Sequence, residues 1–313
     1  MRRAMGILYE HPEWFRPLFA ELDRRGLPFQ RIDAAAHVFE PGDRSERYSL
    51  VVNRMSPSAW LRGNVSAVFA TLEYLAHLED VGTPVVNGRS AYQYEISKVR
   101  QLSLLARLGI RHPRSRVINH PSQAPAAAEG LEYPVLVKPN IGGSGGGIVS
   151  FPDDDALGDA VEAGDLDGSS LDHIWLVQEH LPARGDSIVR IEVLNGRFLY
   201  AIQVRLSPGS FNLCPADYCE IPGPGNRSVR PIEGFDPPPG LIEDARRIIA
   251  AADMDLGGVE YLVNDRDGEA YFYDINALSN FVADAPDVVG FDPFIDLADY
   301  LQRRWENATD AVA

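Results

Sequence analysis

The sequence predicts an α/β domain at the N-terminus, followed by a larger α+β region built on antiparallel sheets. Over residues 1–90, short apolar strands alternate with helical patterns, which is typical of a parallel sheet. Over residues 114–205 the strands are longer, and Asn195-Gly196 marks a hairpin. The predicted parts are an N-terminal domain at 1–90, a second domain at 91–305 and a tail at 306–313.

In the N-terminal domain, the apolar stretches AMGILYE, PFQRIDA, YSLVVNRM and PVVN predict strands. Trp14, Leu18, Phe19 and Leu22 recur at helical spacing, and Gly26 is expected to end that helix. VSAVFATLEYLAHLEDVG predicts the second helix. Strands and helices in this alternation favour a small parallel sheet with helices packed on it.

The α+β region is predicted to begin with the helix EISKVRQLSLLARLG. The strands SRVIN, YPVLVKP, GIVSF and HIWLVQEHL follow, and then the hairpin SIVRIEVLNGRFLYAIQVRL. Residues 206–240 are rich in Pro and Gly and predict an irregular loop. The helix PGLIEDARRIIAAADM, the hairpin GVEYLVNDRDGEAYFYDIN and the helix DPFIDLADYLQRRWENA complete the order of elements.

Composition limits the possible partners. The 313 residues carry a net charge of −16, so the phosphate backbone would repel a general nucleic-acid binder. Two cysteines, Cys214 and Cys219, are too few for a disulfide framework. The sequence shows neither a signal-peptide pattern nor a stretch of the ~18 apolar residues that a membrane span needs. We expect a cytoplasmic protein without nucleic-acid or membrane partners, and the sequence leaves a homodimer open.

The stretch YPVLVKPNIGGSGGGIVSF places one lysine on an apolar strand, directly before five glycines within six residues. Such backbone either moves or approaches another group closely, and phosphate is the usual group. Neither familiar phosphate loop fits, because Ile148 follows Gly147 and no GxGxxG spacing is present. Lys138 is framed by apolar residues, where a lysine usually has a partner. The pattern indicates an anion site, and a merely flexible loop is the alternative.

The hairpin over residues 259–276 carries Glu260 on its first strand and Asp274 and Asn276 on its second. A three-residue turn within DRDGE, with Gly268 in the left-handed position, would set Glu260 directly opposite Asp274. Two carboxylates at a cross-strand separation of about 4.5–5.5 Å repel each other unless a cation or a proton lies between them. Oxygen donors of this kind suit Mg²⁺. An exposed polar face is the alternative, and a two- or four-residue turn would separate the pair.

Together these features resemble the ATP-grasp superfamily. The resemblance rests on Lys98 on a helix, Lys138 on a strand before a glycine loop, and a late acidic hairpin ending in D-x-N, and it covers residues 90–305. It implies an ATP-grasp fold behind the α/β domain. In that fold, nucleotide is held between two antiparallel-sheet subdomains, here a lid-bearing subdomain at 91–180 and a C-terminal subdomain at 181–305. It also implies ATP and Mg²⁺ as cofactors, with Mn²⁺ as a possible substitute.

The resemblance implies three sets of site residues. The nucleotide-binding set supplies two phosphate-contacting lysines, the loop that closes over the phosphates, the strand that holds adenine and an acid for the ribose. Its members are Lys98, Lys138, Gly143, Ser144, Gly145, Gly146, Gln178, Glu179, His180, Leu181 and Asp186. The catalytic positions near the γ-phosphate are Arg190 and Arg205. The metal ligands are Glu260, Asp274 and Asn276.

The activity that the resemblance implies is ligation. Such an enzyme activates a carboxylate as an acyl phosphate and couples it to an amine of a small molecule or peptide, releasing ADP. A small-molecule kinase of the same fold and a non-catalytic ATP-binding module are the alternatives. The sequence departs from the family pattern where E-x-N becomes D-I-N, at residues 277–280 in place of a Pro-Gly loop, and in SFNLCPADYC at 210–219. These departures leave the acceptor unidentified.

Overall fold

The computed structural model describes residues 3–166, 170–206 and 232–310 of the chain. The strands are β1 (Met5–Tyr9), β2 (Phe29–Asp33), β3 (Leu50–Asn53), β4 (Val85–Val86), β5 (Ser115–Ile118), β6 (Val135–Pro139), β7 (Val149–Phe151), β8 (Trp175–Glu179), β9 (Ser187–Leu194), β10 (Arg197–Arg205), β11 (Ile232–Gly234), β12 (Leu256–Val263) and β13 (Ala270–Asn276).

The α-helices of these described ranges are α1 (Arg16–Arg24), α2 (Val65–Asp80), α3 (Arg89–Glu95), α4 (Lys98–Arg107), α5 (Ala124–Ala128), α6 (Asp154–Ala163), α7 (Pro239–Ala251), α8 (Ala285–Val289) and α9 (Pro293–Asp310). Short 3-10 helices lie at Pro12–Phe15, Pro57–Arg62, Pro121–Gln123 and Arg184–Asp186. Among the described residues, no helix has the length and apolar character needed to cross a membrane.

The N-terminal sheet has the order β2-β1-β3-β4 and is parallel throughout. This confirms the predicted α/β fold at the start of the chain. One face of the sheet packs with α1 and α9 in a core that extends to β9 and β10. The other face packs against α2. The domain boundary at residue 90 stays a prediction.

Two antiparallel sheets follow, as predicted. One has the order β5-β8-β6-β7, and the other has the order β11-β10-β9-β12-β13. Helices α5 and α6 pack on the first sheet, and α4 and α7 pack on the second. The turn between β9 and β10 is Asn195-Gly196 with φ of 51° and 68°, the left-handed pair that this dipeptide predicts.

The predicted helix EISKVRQLSLLARLG is interrupted at its start. Helix α3 ends at Glu95 and α4 begins at Lys98, because the hydroxyl of Ser97 accepts a hydrogen bond from the Arg100 backbone N–H at 3.3 Å. The prediction also missed α3, α5, α6 and α8. In the stretch predicted as a loop at 206–240, β11 pairs with β10. SFNLCPADYC, with Cys214 and Cys219, and the end of the predicted tail at 311–313 lie outside the described residues.

The turn of the acidic hairpin is longer than predicted. The Asn264 backbone N–H donates to the Glu269 carbonyl at 2.9 Å, and Val263 pairs with Ala270, so four residues form the loop. The three-residue turn was therefore wrong. Gly268 does take the left-handed conformation, with φ of 79°.

The predicted carboxylate pair is nevertheless present, because a β-bulge offsets the longer turn. The register shifts between Glu260 and Tyr261, where β13 accommodates Tyr273 as an extra residue. Glu260 pairs with Asp274 as a result. Bulges re-aim side chains, and here both Tyr273 and Asp274 line the same cleft.

Candidate active site

The acidic hairpin and the glycine loop face each other across one cleft between the two antiparallel sheets. The N-terminal sheet region closes a side of it. Ten of the predicted site residues line this cleft: Lys98, Lys138, Gly143, Ser144, Gly145, Gly146, Arg190, Glu260, Asp274 and Asn276. Residues from distant parts of the sequence therefore meet in one cleft.

The two lysines are brought together by a tie between β6 and α4. Asn140, two residues beyond Lys138, accepts hydrogen bonds from the Val99 backbone N–H at 3.0 Å and from the Ser97 hydroxyl at 3.1 Å. The backbone carbonyl of Asn140 accepts a hydrogen bond from the Lys98 backbone N–H at 3.2 Å. This buried asparagine fixes the start of the helix that carries one lysine against the end of the strand that carries the other.

Lys138 is 4% exposed, and within the described ranges its ammonium group has no carboxylate at ion-pair distance. Burial, and then the charge of Lys98, lower the pKa of Lys138 to about 7. An ammonium group that faces a cleft in this way attracts an anion, because an anion removes the cost of its burial. This property suits phosphate binding.

The acidic pair is compensated by cations of the protein. The Lys98 Nζ lies 2.6 Å from an Asp274 carboxylate oxygen, and the Arg190 Nη1 lies 3.2 Å from a Glu260 oxygen. Burial and the charge of Asp274 raise the pKa of Glu260 to about 7. Burial also opposes ionisation of Asp274, but Lys98 and further cations outweigh it and hold the pKa of Asp274 below its ordinary value. Both carboxylates therefore tolerate burial side by side.

Arg190 is the centre of a buried hydrogen-bond network. Its Nε lies 2.6 Å from a Glu192 carboxylate oxygen, and its Nη2 donates to the Ser279 hydroxyl at 3.0 Å. Burial opposes its charge, but Glu192 and Glu260 raise its pKa overall. The absence of a side chain at Gly258 is necessary here, since a Cβ would lie 2.6 Å from the Arg190 Nε. Arg190 is thus held rigidly beside the acidic pair.

The donor set fits Mg²⁺. Glu260, Asp274 and Asn276 offer two carboxylates and one amide oxygen, and Mg²⁺ typically takes one or two carboxylates together with phosphates and water. In the part of the chain that the structure describes, no group of three or more His, Cys, Asp or Glu residues could hold a metal ion by itself. The set therefore suits an ion shared with a phosphate ligand, and these roles stay predictions.

The glycine loop lies directly on the 3-10 helix Pro57–Arg62. A Cβ at Gly143 would lie 2.7 Å from the Ser58 Cβ, and one at Gly146 would lie 2.8 Å from the Trp60 Cζ2. Real side chains do not approach this closely, so both positions require glycine for contact as well as for flexibility. The loop therefore covers the cleft from the side of the N-terminal sheet.

The predicted adenine positions lie outside the cleft lining. The Gln178 Nε2 donates to the Ser115 hydroxyl at 2.8 Å. The Glu179 carboxylate accepts from the Arg114 Nη1 and from the Glu132 backbone N–H, both at 3.0 Å. His180 is half-buried, with its pKa lowered mainly by burial, and Leu181 is buried. Their contact with adenine stays a prediction.

Asp186 and Arg205 are also not among the residues that line the cleft. Asp186 is exposed, with φ of 48°, and its carbonyl accepts the Leu206 backbone N–H. Arg205 is exposed, and its Nη1 lies 3.4 Å from the Gly185 carbonyl. The structure therefore does not bring Arg205 to Arg190, and the ribose and γ-phosphate roles of these two residues stay predictions.

Several cleft residues were not anticipated from the sequence. Glu95 and Gln101 lie on either side of Lys98 in the chain, and Tyr273 occupies the bulge. The N-terminal region adds Trp14 and the segment 56–58. Spacing around Lys98 on the helix could have suggested Gln101, whereas the N-terminal contributions depend on tertiary packing that carries no local signal.

A second unanticipated group is the guanidinium of Arg54, which lies behind the cleft. It is 1% exposed and donates to the Ser279 carbonyl, while its Nε and Nη1 have no hydrogen-bond partner among the described residues. Burial lowers its pKa to about 10, although Glu192 opposes this shift. Ser279 thereby joins the N-terminal region to Arg190.

Parts of the chain are similar in sequence to known proteins. Residues 96–214 match the model of the RimK-like ATP-grasp domain. A curated relative, the carbamoyl phosphate synthase large chain of Methanosphaerula palustris, is 28% identical over 120 residues. That match covers 36% of this chain and 11% of the relative, so it spans only about a tenth of the relative's length.

Solved structures resemble the chain over nearly its whole length. A RimK domain protein from Sphaerobacter thermophilus is 22% identical, with a TM-score of 0.69 over 95% of this chain and 98% of that one. The ATP-grasp ligase PsnB, in complex with a phosphomimetic variant of minimal precursor, Mg and ADP, is 17% identical, with a TM-score of 0.69 over 97% and 100%. D-alanine–D-alanine ligase of Bacillus anthracis, in complex with ATP, is 14% identical, with a TM-score of 0.66 over 99% and 100%. Residues 96–214 therefore match a RimK-like ATP-grasp domain, and the chain as a whole shares the fold of these solved structures.

Proposed function

We propose that this protein is an ATP-dependent ligase that joins a carboxylate to an amine with release of ADP and phosphate. The observation that carries the proposal is the 2.6 Å contact between Lys98 and Asp274 beneath the glycine loop. This contact joins a cation and a carboxylate within one cleft, and it supports the proposal because phosphoryl transfer requires both cations and oxygen ligands for a metal ion.

Each cationic residue has a distinct part in this scheme. Lys138, buried and unpaired within the described ranges, takes a non-bridging phosphate oxygen of ATP. Lys98 exchanges part of its contact with Asp274 for a phosphate. Arg190 is held by Glu192 and Glu260 and faces the group that is transferred. Fixed charges of this kind stabilise the transition state because they need no reorganisation during the reaction.

Glu260, Asp274 and Asn276 would hold the metal ion. When bound, Mg²⁺ supplies positive charge that neutralises the phosphoryl oxygens. Because the pKa of Glu260 is about 7 in the free protein, this carboxylate is partly protonated at neutral pH and loses its proton when it becomes a ligand. Asp274 is ionised already, since its pKa is held low by Lys98.

The glycine loop protects the activated carboxylate. An acyl phosphate is hydrolysed by water, so the loop must close before transfer and open for release. The contacts of Gly143 and Gly146 with the 3-10 helix Pro57–Arg62 describe a closed position of this loop. The amine then displaces phosphate from the acyl group, and the acceptor is a small molecule or a peptide.

The direct test is ADP release by the wild-type chain in the presence of ATP and Mg²⁺. Libraries of carboxylates and amines are supplied separately and together, and products are identified by mass spectrometry. We expect ADP and phosphate to appear together only when a carboxylate and an amine are both present, and the product to contain a new amide bond.

Two other results would redirect the assignment. A stable phosphorylated product that forms without an amine would identify a kinase of the same fold. Tight ATP binding without ADP release under any condition would identify a binding module. Both would contradict the proposed ligase, and each is visible in the same assay.

A further inference from the structure

Strand β13, which carries Asp274 and Asn276, lies at the edge of its sheet. Its only strand neighbour in the described sheet is β12, so its outer edge lacks a partner strand. Edge strands leave backbone N–H and C=O groups open and are held less firmly than central strands. Asp274 and Asn276 lie at the end of this strand, just after the bulge at Tyr273. Contacts from outside the sheet are therefore needed to fix the positions of Asp274 and Asn276.

The Gln101 side chain takes the place of a neighbouring strand. Its Nε2 donates to the Ile275 carbonyl at 2.7 Å, and its Oε1 accepts the Ile275 backbone N–H at 3.2 Å. The Nε2 also donates to the Tyr94 carbonyl at 2.9 Å, and the residue is 2% exposed. Ile275 lies between Asp274 and Asn276, so this amide fixes the backbone between two predicted metal ligands.

Glu95 holds the chain where β13 ends. Its Oε2 accepts the backbone N–H groups of Ala277 and Leu278, the second at 3.0 Å. Glu95 is 9% exposed and lines the cleft. The strand end is thus held by one side-chain amide and one carboxylate, both supplied by the segment around Lys98.

Helix α4 contacts β13 at two levels. Lys98 and Gln101 are three residues apart and therefore lie on the same helical face. Lys98 reaches the side chain of Asp274, while Gln101 reaches the adjoining backbone. The helix that supplies Lys98 thereby also sets the position of Asp274.

We infer that Gln101 and Glu95 are positioning residues that hold Asp274 and Asn276 in the geometry needed for the metal ion. The inference rests on the proposed function for the identity of the metal. It does not assign either residue to the reacting atoms. Groups that orient metal ligands typically change metal affinity or activity about 10–100-fold when they are removed.

The test uses Mn²⁺ binding in the presence of ADP, followed by the electron paramagnetic resonance signal of free Mn²⁺. We expect Gln101→Met, which keeps the side-chain volume but loses both hydrogen bonds to Ile275, to weaken Mn²⁺ binding by about 10-fold or more. Glu95→Ala should have a similar effect. Glu95→Gln keeps an oxygen that can accept both N–H groups and should therefore bind Mn²⁺ close to the wild-type affinity.

Ile248→Ala is the control for a general loss of stability. It truncates a buried side chain of the same core, on helix α7 and away from the edge of β13. This variant should melt at a lower temperature and bind Mn²⁺ normally. ADP binding in EDTA should change little in Gln101→Met. If Gln101→Met does not fold, Gln101→Asn, which withdraws the amide by one methylene, replaces it.

Three outcomes would contradict either the positioning role or the metal site itself. Unchanged Mn²⁺ affinity in both Gln101→Met and Glu95→Ala, with metal binding intact in the wild type, would show that these residues only stabilise the fold. Absence of Mn²⁺ binding in the wild type with ADP would contradict the proposed metal site itself. A metal affinity that falls equally in Ile248→Ala would also refute the positioning role.

Discussion

At the scale of single residues, the buried Lys138 is the side chain whose protonation should respond most clearly to an anion in the cleft. Its pKa is about 7 in the free protein because it is buried beside Lys98. At pH 8 it is therefore largely neutral, and bound phosphates should raise its pKa and make it take up a proton. We expect nucleotide binding at pH 8 to consume up to about one proton, measured by calorimetry in buffers of different ionisation enthalpy.

Lys138→Met is the matched control for this coupling between nucleotide binding and proton uptake. The variant should bind nucleotide without buffer-dependent heat, and its affinity should be weaker by about 1.5–3 kcal/mol, the range for a hydrogen bond to a charged group. Equal proton uptake in the wild type and the variant would show that another group titrates, and unchanged affinity would remove Lys138 from the phosphate site.

From the sequence, individual residues could be singled out where the local pattern is unusual, while their binding roles stay predictions. Lys138 stands out because a lysine on an apolar strand needs a partner, and Glu260 and Asp274 stand out because of their opposed positions. Arg54 has no such signal, because a residue after a strand acquires this role only from tertiary contacts. Gln101 has only its spacing from Lys98 on the helix, and its contact with Ile275 comes from tertiary packing.

At the scale of elements, the glycine-rich composition of the loop could reflect either flexibility or close contact with another segment. The structure shows which glycines make a close contact. Gly143 and Gly146 contact the 3-10 helix Pro57–Arg62 more closely than any side chain would allow, whereas a Cβ at Gly142 would lie an ordinary 3.6 Å from the Lys98 Cε. We expect Gly143→Ala and Gly146→Ala to impair loop closure much more than Gly142→Ala.

Loop closure can be measured by limited proteolysis with and without a non-hydrolysable ATP analogue and Mg²⁺. In the wild type and Gly142→Ala, the analogue should slow cutting within the loop. In Gly143→Ala and Gly146→Ala, protection should be largely lost. Full protection in the latter two variants would mean that the loop closes without this contact.

The acidic hairpin shows why element boundaries are harder to predict than residue pairs. The sequence indicated which carboxylates face each other, but it indicated the wrong turn. Turn length and the bulge at Tyr273 change the register by one residue each, in opposite directions, so the errors cancel at Glu260 and Asp274. A bulge has no reliable sequence signature, and only the structure shows it.

In the whole molecule, Asn87 joins the N-terminal sheet to the sheet that carries the acidic pair. Its Nδ2 donates to the carbonyls of Leu256 and Ala277 at 2.8 and 2.6 Å, and its Oδ1 accepts the Asp255 backbone N–H at 2.8 Å. Asn87→Ala leaves these buried backbone groups without partners. We expect it to lower the free energy of unfolding by about 3 kcal/mol or more, measured by urea denaturation.

Asn87→Gly separates the hydrogen bonds from backbone strain, because Asn87 has φ of 51° and glycine adopts this conformation freely. If the hydrogen bonds dominate, the glycine variant should lose most of the same stability. A glycine variant as stable as the wild type would show that the side-chain hydrogen bonds contribute little to joining the two sheets.

The overall architecture could be predicted because its signals are repeated along the chain. Alternating strands and helices predicted the parallel sheet, and longer strands with Asn195-Gly196 predicted the antiparallel ones. The approach of the segment 56–58 and Trp14 to the cleft could not be predicted in the same way. It depends on how the first sheet packs against the other two, which no local pattern encodes.

ADP release measured against Mg²⁺ concentration, for the wild type and Asp274→Asn, tests the assignment of the cleft most directly once a substrate pair is known. The variant keeps the shape of the side chain but removes the charge that compensates Lys98 and would bind the metal ion. We expect it to fold, with a slightly lower melting temperature because Lys98 loses its partner, and to turn over about 10²–10³ times more slowly at ordinary Mg²⁺. Higher Mg²⁺ or Mn²⁺ should restore part of the rate. Normal turnover of Asp274→Asn at ordinary Mg²⁺ would contradict the role of the acidic hairpin as the catalytic metal site.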